Sequence, residues 1–267
     1  MLKITLFIVC FFVTARFCKN QTGKFTVHRI TSNLKYNPAW EVAPLSSKEQ
    51  TEIRKILSQP FSYLSKGVQS FVFASEDGQY VIKFFRHDHL SPPFWRSKKE
   101  TRHHKDFLSY KIAYESLRQE TGVVFLHLNK SDFNQTLDLV DKIGIHHPIP
   151  LGRYEFLVQK RASLLYNALD EMIQARRLDD AKETLTKLVH LLAHRSQLGI
   201  FDKDPDLNTN FGVIGTDPLQ IDVGRFRKIS PKLDKNEIIR ITDHLHQHLM
   251  QRCPELDEHL KTQIEKL

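Results

Sequence analysis

The chain has 267 residues, 40% of them hydrophobic and 26% charged, with a formal charge of +8 and a pI near 9.3. Eighteen Phe against ten Gly supply a substantial apolar core and exclude disorder over most of the length, while three Cys exclude a disulfide framework or a cysteine-based zinc site. The basic balance favours anionic partners, namely nucleotide phosphates, nucleic acid or an anionic membrane surface; a nucleic-acid binder is the weakest of these readings, since no ordered basic–aromatic stripe or nucleic-acid motif accompanies it.

In chain order, the first segment is Met1-Leu2-Lys3, an apolar run over 4–15, and then Arg16-Phe17-Cys18-Lys19-Asn20. One positive charge, about a dozen apolar residues and the tripeptide Val13-Thr14-Ala15 read as an export signal over 1–20. The run is short for a membrane-spanning helix, which wants roughly 20 residues. An uncleaved anchor is the second reading and a mis-assigned start or interfacial segment the third. The expected location is exported or membrane-associated, and cytoplasmic for an uncleaved anchor or a mis-assigned start.

Residues 21–58 form a polar extension with turn signals at Asn37-Pro38 and Ala43-Pro44. Ser46 or Ser47 can cap a short helix running through Leu57, with Gln50 three residues beyond Ser47. Segments 70–74 and 79–85 are aromatic and β-branched, and Asp77-Gly78 between them signals a hairpin. Ser91-Pro92-Pro93 breaks the chain. The basic stretch 86–105, with Arg96, Lys98, Lys99, Arg102, His103 and His104, reads as a solvated insertion or as a phosphate-attracting patch. A helix over 105–120 follows, ended by Gly122. Strands are expected at 123–128, 136–142 and 155–161. Helices are expected at 164–174, 179–198 (capped by Gly199), 235–250 and 255–267.

The segment Asp202-Lys203-Asp204-Pro205-Asp206-Leu207-Asn208-Thr209-Asn210, followed by Ile221-Asp222-Val223-Gly224, carries the chemistry. Phosphoryl transfer needs a carboxylate to orient a nucleophile, plus an amide oxygen and a carboxylate to hold Mg²⁺. Upstream, Leu64-Ser65-Lys66-Gly67-Val68-Gln69-Ser70 is a turn of small residues through which backbone N–H groups can approach phosphates, or an ordinary strand entry. Val81-Ile82-Lys83 closes the hairpin that follows.

In this order the segments resemble the protein-kinase-like superfamily over 63–226. The resemblance implies an α+β, two-lobed protein-kinase-like fold with a strand-rich N-lobe (59–161) and a short helical C-lobe (162–267). It implies that Ser65, Gly67 and Ser70 line the nucleotide phosphates and that Lys83 holds them. Glu115 is the expected helix partner of Lys83, with Asp106 and Glu100 as alternatives, and 156–162 resembles the strand leading to the interlobe hinge. Phe201-Asp202-Lys203-Asp204 is similar to Val-His-Arg-Asp, which makes Asp204 the catalytic carboxylate. The loop is one residue longer than usual, so Asp206 is its rival. Asn210 and Asp222 become the Mg²⁺ ligands. Only Gly67 remains of three glycines, Asp202 and Lys203 replace His and Arg, and Val223 replaces Phe. After Gly224 there is no Ala-Pro-Glu sequence and no room for the full set of helices that bind peptides. The expected activity is therefore ATP- and Mg²⁺-dependent transfer to a hydroxyl acceptor other than a protein. The alternative is an inactive kinase-like binding module, membrane-associated or exported.

Overall fold

A computed structural model of the protein describes residues 2–87 and 93–267. The expected break at Ser91-Pro92 and the side chains of Arg96, Lys98 and Lys99 lie outside what is described. The helices are α1 (Leu2–Gln21), α2 (Val27–Ile30), α3 (Ser47–Ile56), α4 (Pro93–Ser116), α5 (Arg118–Thr121), α6 (Leu165–Gln174), α7 (Leu178–Gln197), α8 (Lys235–Arg252) and α9 (Pro254–Glu265). The strands are β1 (Phe61–Lys66), β2 (Ser70–Ser75), β3 (Tyr80–Phe85), β4 (Val123–His127), β5 (Thr136–Val140), β6 (His146–Pro150), β7 (Phe156–Lys160), β8 (Ser163–Leu164), β9 (Ile200–Asp202), β10 (Phe211–Ile214), β11 (Asp217–Gln220) and β12 (Phe226–Lys228). The class is mixed α/β. The chain divides into two compact units, Met1–Lys98 with Phe125–Gln159, and Lys99–Val124 with Lys160–Leu267.

The first unit carries the body of a seven-stranded sheet ordered β4-β7-β3-β2-β1-β5-β6. Its register sorts the side chains by face. Phe71 opposes Phe84 and Phe73 opposes Ile82, and all four are fully buried. Val72 opposes Lys83 on the other face. Phe25 packs edge-on against Phe71 and Phe73, with ring centroids 5.3 and 5.0 Å apart. The polar 21–58 segment is thus folded onto this unit. The side chain of Asn129 accepts from the Asn37 N–H and donates to the Asn37 carbonyl, each at 3.0 Å. Ser32 donates to buried Glu155 at 2.6 Å. The cap of α3 is Ser46, boxed with Glu49, rather than Ser47 with Gln50.

Strand β6 was not expected, because His146-His147-Pro148-Ile149-Pro150 reads against a strand. It lies at the sheet edge, paired with β5, where prolines need no N–H to give.

In the second unit α6–α9 bury a shared core that includes Leu169, Leu185, Leu188, Leu192, Phe211, Leu245, Leu249 and Leu260. The α7 residues Leu185, Leu188, Val189 and Leu192 follow the helical period. The expected helix over 105–120 is longer at its start, and it breaks at Leu117 before α5, which Gly122 ends in the left-handed region (φ +64°). Strands β8 to β12 lie among these helices, and at two to four residues each they carry no readable periodicity.

Candidate functional site

Gly199 ends the turn after α7 with φ +64°, and a Cβ there would come within 2.4 Å of the Ile229 carbonyl, so only glycine fits. The chain then runs out along β9 and back along β12, with Asp202 opposite Phe226. Everything between these two strands is the segment singled out in the sequence. Its centre is the β10–β11 hairpin, Phe211 opposite Gln220. At the hairpin base the Asn210 carbonyl accepts from the N–H groups of Ile221 at 2.8 Å and Asp222 at 3.2 Å. Asn210 and Asp222 are brought together in this way.

The two rival aspartates differ in what they do locally. Asp206 accepts from the Asn208 N–H (2.9 Å) and the Thr209 hydroxyl (2.8 Å), and its carbonyl takes the Asn210 N–H (2.9 Å). Its carboxylate is occupied in shaping the turn. Asp204 is half-exposed and faces Arg225 at 3.4 Å. The Asn210 amide donates to the Asp204 carbonyl at 2.7 Å and accepts from Thr209 at 3.1 Å. Asp222 is exposed, and its carboxylate accepts the Gly224 N–H at 3.1 Å.

Helix α4 supports the second half of the segment. Buried Ser109 donates to the Val223 carbonyl and accepts from the Phe226 N–H at 2.5 Å, bridging the backbone around Asp222-Val223-Gly224. One turn earlier, burial raises the Asp106 carboxyl to about 6, opposed by Arg102 and Arg225 and reinforced by Asp222. Burial, and then Asp222 and Asp106, likewise push the Tyr110 phenol well above its ordinary value. Glu115 is half-exposed and pairs with Lys111 at 3.7 Å, one turn away on the same helix.

Beneath the loop lies a polar group that sequence reading missed. Arg195, only 2% exposed, donates to the Gln220 side-chain oxygen at 2.7 Å, and Gln220 donates to Asp202 at 2.5 Å. Arg195 also lies 3.9 Å from Asp202 and 3.7 Å from Glu237. Burial raises Asp202 above the usual carboxylate value, against the pull of the Asp204 N–H, Arg195 and Gln220. The available signal was an arginine at a core-facing position of an amphipathic helix.

In the first unit, Lys83 stands on β3, half-buried and opposite Val72. The β1–β2 turn is closed by the Gly67 N–H donating to the Ser70 carbonyl at 2.9 Å. Arg86 donates to the Gly67 and Val68 carbonyls at 2.9 and 3.0 Å. Ser65 is exposed and Ser70 buried. Gly67 has ample room for a Cβ, the nearest neighbour being 3.8 Å away, so the turn itself does not demand glycine. Desolvation, and then the charges of Lys24, Arg86 and Arg29, lower the Lys66 ammonium. No local signal announces this cationic grouping, since Lys24 and Arg29 belong to the N-terminal segment.

Asn210 and Asp222 offer oxygen donors only, the set that suits Mg²⁺ better than zinc. Among the described residues no group of three or more His, Cys, Asp or Glu converges as a metal centre. Among them, too, no helix is long and apolar enough to cross a membrane.

No family model matches the sequence, and no curated protein matches it. Among solved structures, a 2.2 Å crystal structure of WbdD aligns at 17% identity with a TM-score of 0.40, over 74% of this chain and 43% of that one. A medium-resolution structure of the bifunctional kinase-methyltransferase WbdD aligns at 18% identity with a TM-score of 0.39, over 74% and 42%. The chain therefore spans less than half the length of these structures. A likeness this low concerns the course of the chain alone and lends nothing to the chemistry.

Proposed function

We propose that the protein is an ATP- and Mg²⁺-dependent phosphotransferase acting on a hydroxyl acceptor. The observation that carries this reading is the hydrogen bond from the Asp222 N–H to the Asn210 carbonyl, which brings the backbones of an amide-bearing and a carboxylate-bearing residue together next to the loop bearing Asp204. Asn210 and Asp222 would hold Mg²⁺, which when bound neutralises charge on the transferred phosphoryl group. Asp204 would orient the acceptor hydroxyl and take its proton. Lys83 would hold the nucleotide phosphates, with Ser65, Gly67 and Ser70 at the turn that approaches them. Asp206 keeps its loop-shaping role, and Glu115, committed to Lys111, is left outside the proposal. Between Gly224 and α8 the chain has no Ala-Pro-Glu sequence, so the acceptor is proposed to be a molecule other than a protein.

The test is thermal stabilisation by millimolar ATP·Mg²⁺ in wild type, Lys83→Ala and Asp222→Ala. A wild-type shift lost in both variants supports the reading, and no shift in wild type overturns it. The competing reading, an inactive kinase-like module, is favoured by the engagement of Asn210 with Thr209 and the Asp204 carbonyl. Nucleotide stabilisation without phosphoryl transfer to any hydroxyl compound would establish it.

We further propose that α1 serves as an export signal or as a membrane-associated segment that does not span the bilayer, since Phe7, Phe11, Phe12 and Phe17 are all more than half exposed. N-terminal sequencing of the native protein distinguishes these, because only a cleaved signal removes the segment.

A further inference from the structure

We infer that Asp202 is the positioning residue for Asp204, held in place by Gln220 and Arg195; this rests on the phosphotransferase reading. Asp202 stands where the kinase-like pattern has histidine, so its role has to be derived from its own contacts. Its side chain is 2% exposed, and its two oxygens do different things. Oδ2 faces the core, where it accepts from Gln220 at 2.5 Å and lies 3.9 Å from Arg195. Oδ1 faces the loop and accepts the N–H of Asp204 at 3.0 Å.

The other end of the same residue is held as well, because the Asp204 carbonyl accepts from the Asn210 amide at 2.7 Å. Asp204 is thereby clamped on both sides of its Cα while its own carboxylate stays half-exposed beside Arg225. An exposed side chain on a backbone fixed at both peptide groups is what a preorganised acid–base group needs. Oδ2 docks β9 on the core. Oδ1 is directed at the loop in an i to i+2 contact like that of Asp206 with Asn208, and it differs in that the residue it holds bears the proposed catalytic carboxylate.

The hydrogen-bond directions supply a discriminating exchange. In Asp202→Asn the new amide can still accept the Asp204 N–H, but its NH₂ then meets the NH₂ of Gln220, two donors with no acceptor between them. In the double variant Asp202→Asn/Gln220→Glu, the carboxylate moves to position 220. There it can accept from both the new amide at position 202 and the Arg195 guanidinium, and the net charge of the group is unchanged.

Three measurements are made on full-length wild type, Asp202→Asn and the double variant: stabilisation by ATP·Mg²⁺, phosphate release from ATP·Mg²⁺ with kcat and KM separated, and amide hydrogen exchange over 203–210. The expected result is that Asp202→Asn keeps the nucleotide shift and a KM within about threefold of wild type. Its kcat falls at least about tenfold and exchange over 203–210 accelerates to a similar degree, with α6–α9 unchanged. The double variant recovers both. Unchanged loop exchange and kcat in Asp202→Asn overturn the inference while leaving the phosphotransferase reading intact. So does loosening throughout the second unit, or failure to fold, that the double variant does not repair. A wild type that shows no nucleotide shift, or that transfers phosphate neither to water nor to any hydroxyl compound, overturns the reading itself, and the inference with it.

Discussion

The backbone N–H of Asp222 lies 3.2 Å from the carbonyl oxygen of Asn210, and that of Ile221 shares the same acceptor at 2.8 Å. These bonds use main-chain atoms alone, so both side chains can be changed without undoing the contact that brings them together. Asp222→Ala should cost little stability, within about 0.5 kcal/mol for an exposed position. Asn210→Ala should cost about 1 kcal/mol for its bond to the Asp204 carbonyl. Each should abolish the Mg²⁺-dependent part of nucleotide-induced stabilisation, read by scanning fluorimetry with and without chelator. Retention of that part in both variants would remove them as ligands.

Asp204 and Asp206 should separate by the kind of damage their loss causes. Asp204→Asn should leave the unfolding midpoint nearly unchanged, because an exposed pair with Arg225 is worth about 0–1 kcal/mol. It should lower phosphoryl transfer by about 10²-fold or more. Asp206→Ala should cost about 1 kcal/mol by releasing the Asn208 and Thr209 contacts, with a smaller effect on turnover. The reverse ranking would make Asp206 the acting carboxylate.

Ser109→Ala should leave the Val223 carbonyl and the Phe226 N–H unsatisfied in a buried setting. The expected cost is about 1–3 kcal/mol, measured by denaturant unfolding. Nucleotide stabilisation should weaken in the same variant. A Ser109→Ala protein as stable as wild type would show that water replaces the hydroxyl.

His127 gives the first unit a defined pH response. It is 8% exposed, stacked on Phe125, tilted against Phe133 and Phe156, and bonded to the Tyr154 carbonyl and the Ser131 hydroxyl. Burial lowers its pKa below the ordinary 6.5, opposed by the Tyr154 carbonyl and, more weakly, by Glu155 and Glu41. The folded state then binds fewer protons than the unfolded one. The stability this contributes is present above pH 6.5 and is lost as pH falls through the folded value. The denaturation midpoint should drop between about pH 7 and 5, and His127→Gln should flatten that slope. An unchanged slope would place the titrating group elsewhere.

The long elements could be read in the sequence because their signals are local: a leucine period in α7, alternating Phe in β2, Asp-Gly between β2 and β3 and Gly after α5. Asn210 and Asp222 were readable as residue types, and their adjacency depends on a hairpin whose strands are too short to leave a period. The Arg195–Gln220–Asp202 group was hidden for a different reason. It joins α7, β11 and β9 through side chains distant in sequence, and a lone arginine on a helix ordinarily reads as solvated. Lys24 and Arg29 were passed over because the segment bearing them looked like an appendage, whereas Phe25, between them, lies on the sheet.

The hairpin closed by Asn210 ends at Gly215, which has φ +64° and open space where a side chain would stand. Since the stem is fastened at its base, the number of residues around the tip is free to vary without altering the approach of Asn210 to Asp222. A pattern search with a fixed interval between those two letters would overlook relatives whose tips are longer or shorter. An epitope or fluorophore grafted at Gly215 would sit at the far end of a stem tied off at its base, beside Thr216 and Asp217, which bond Lys187 on α7, and would report any disturbance of that contact.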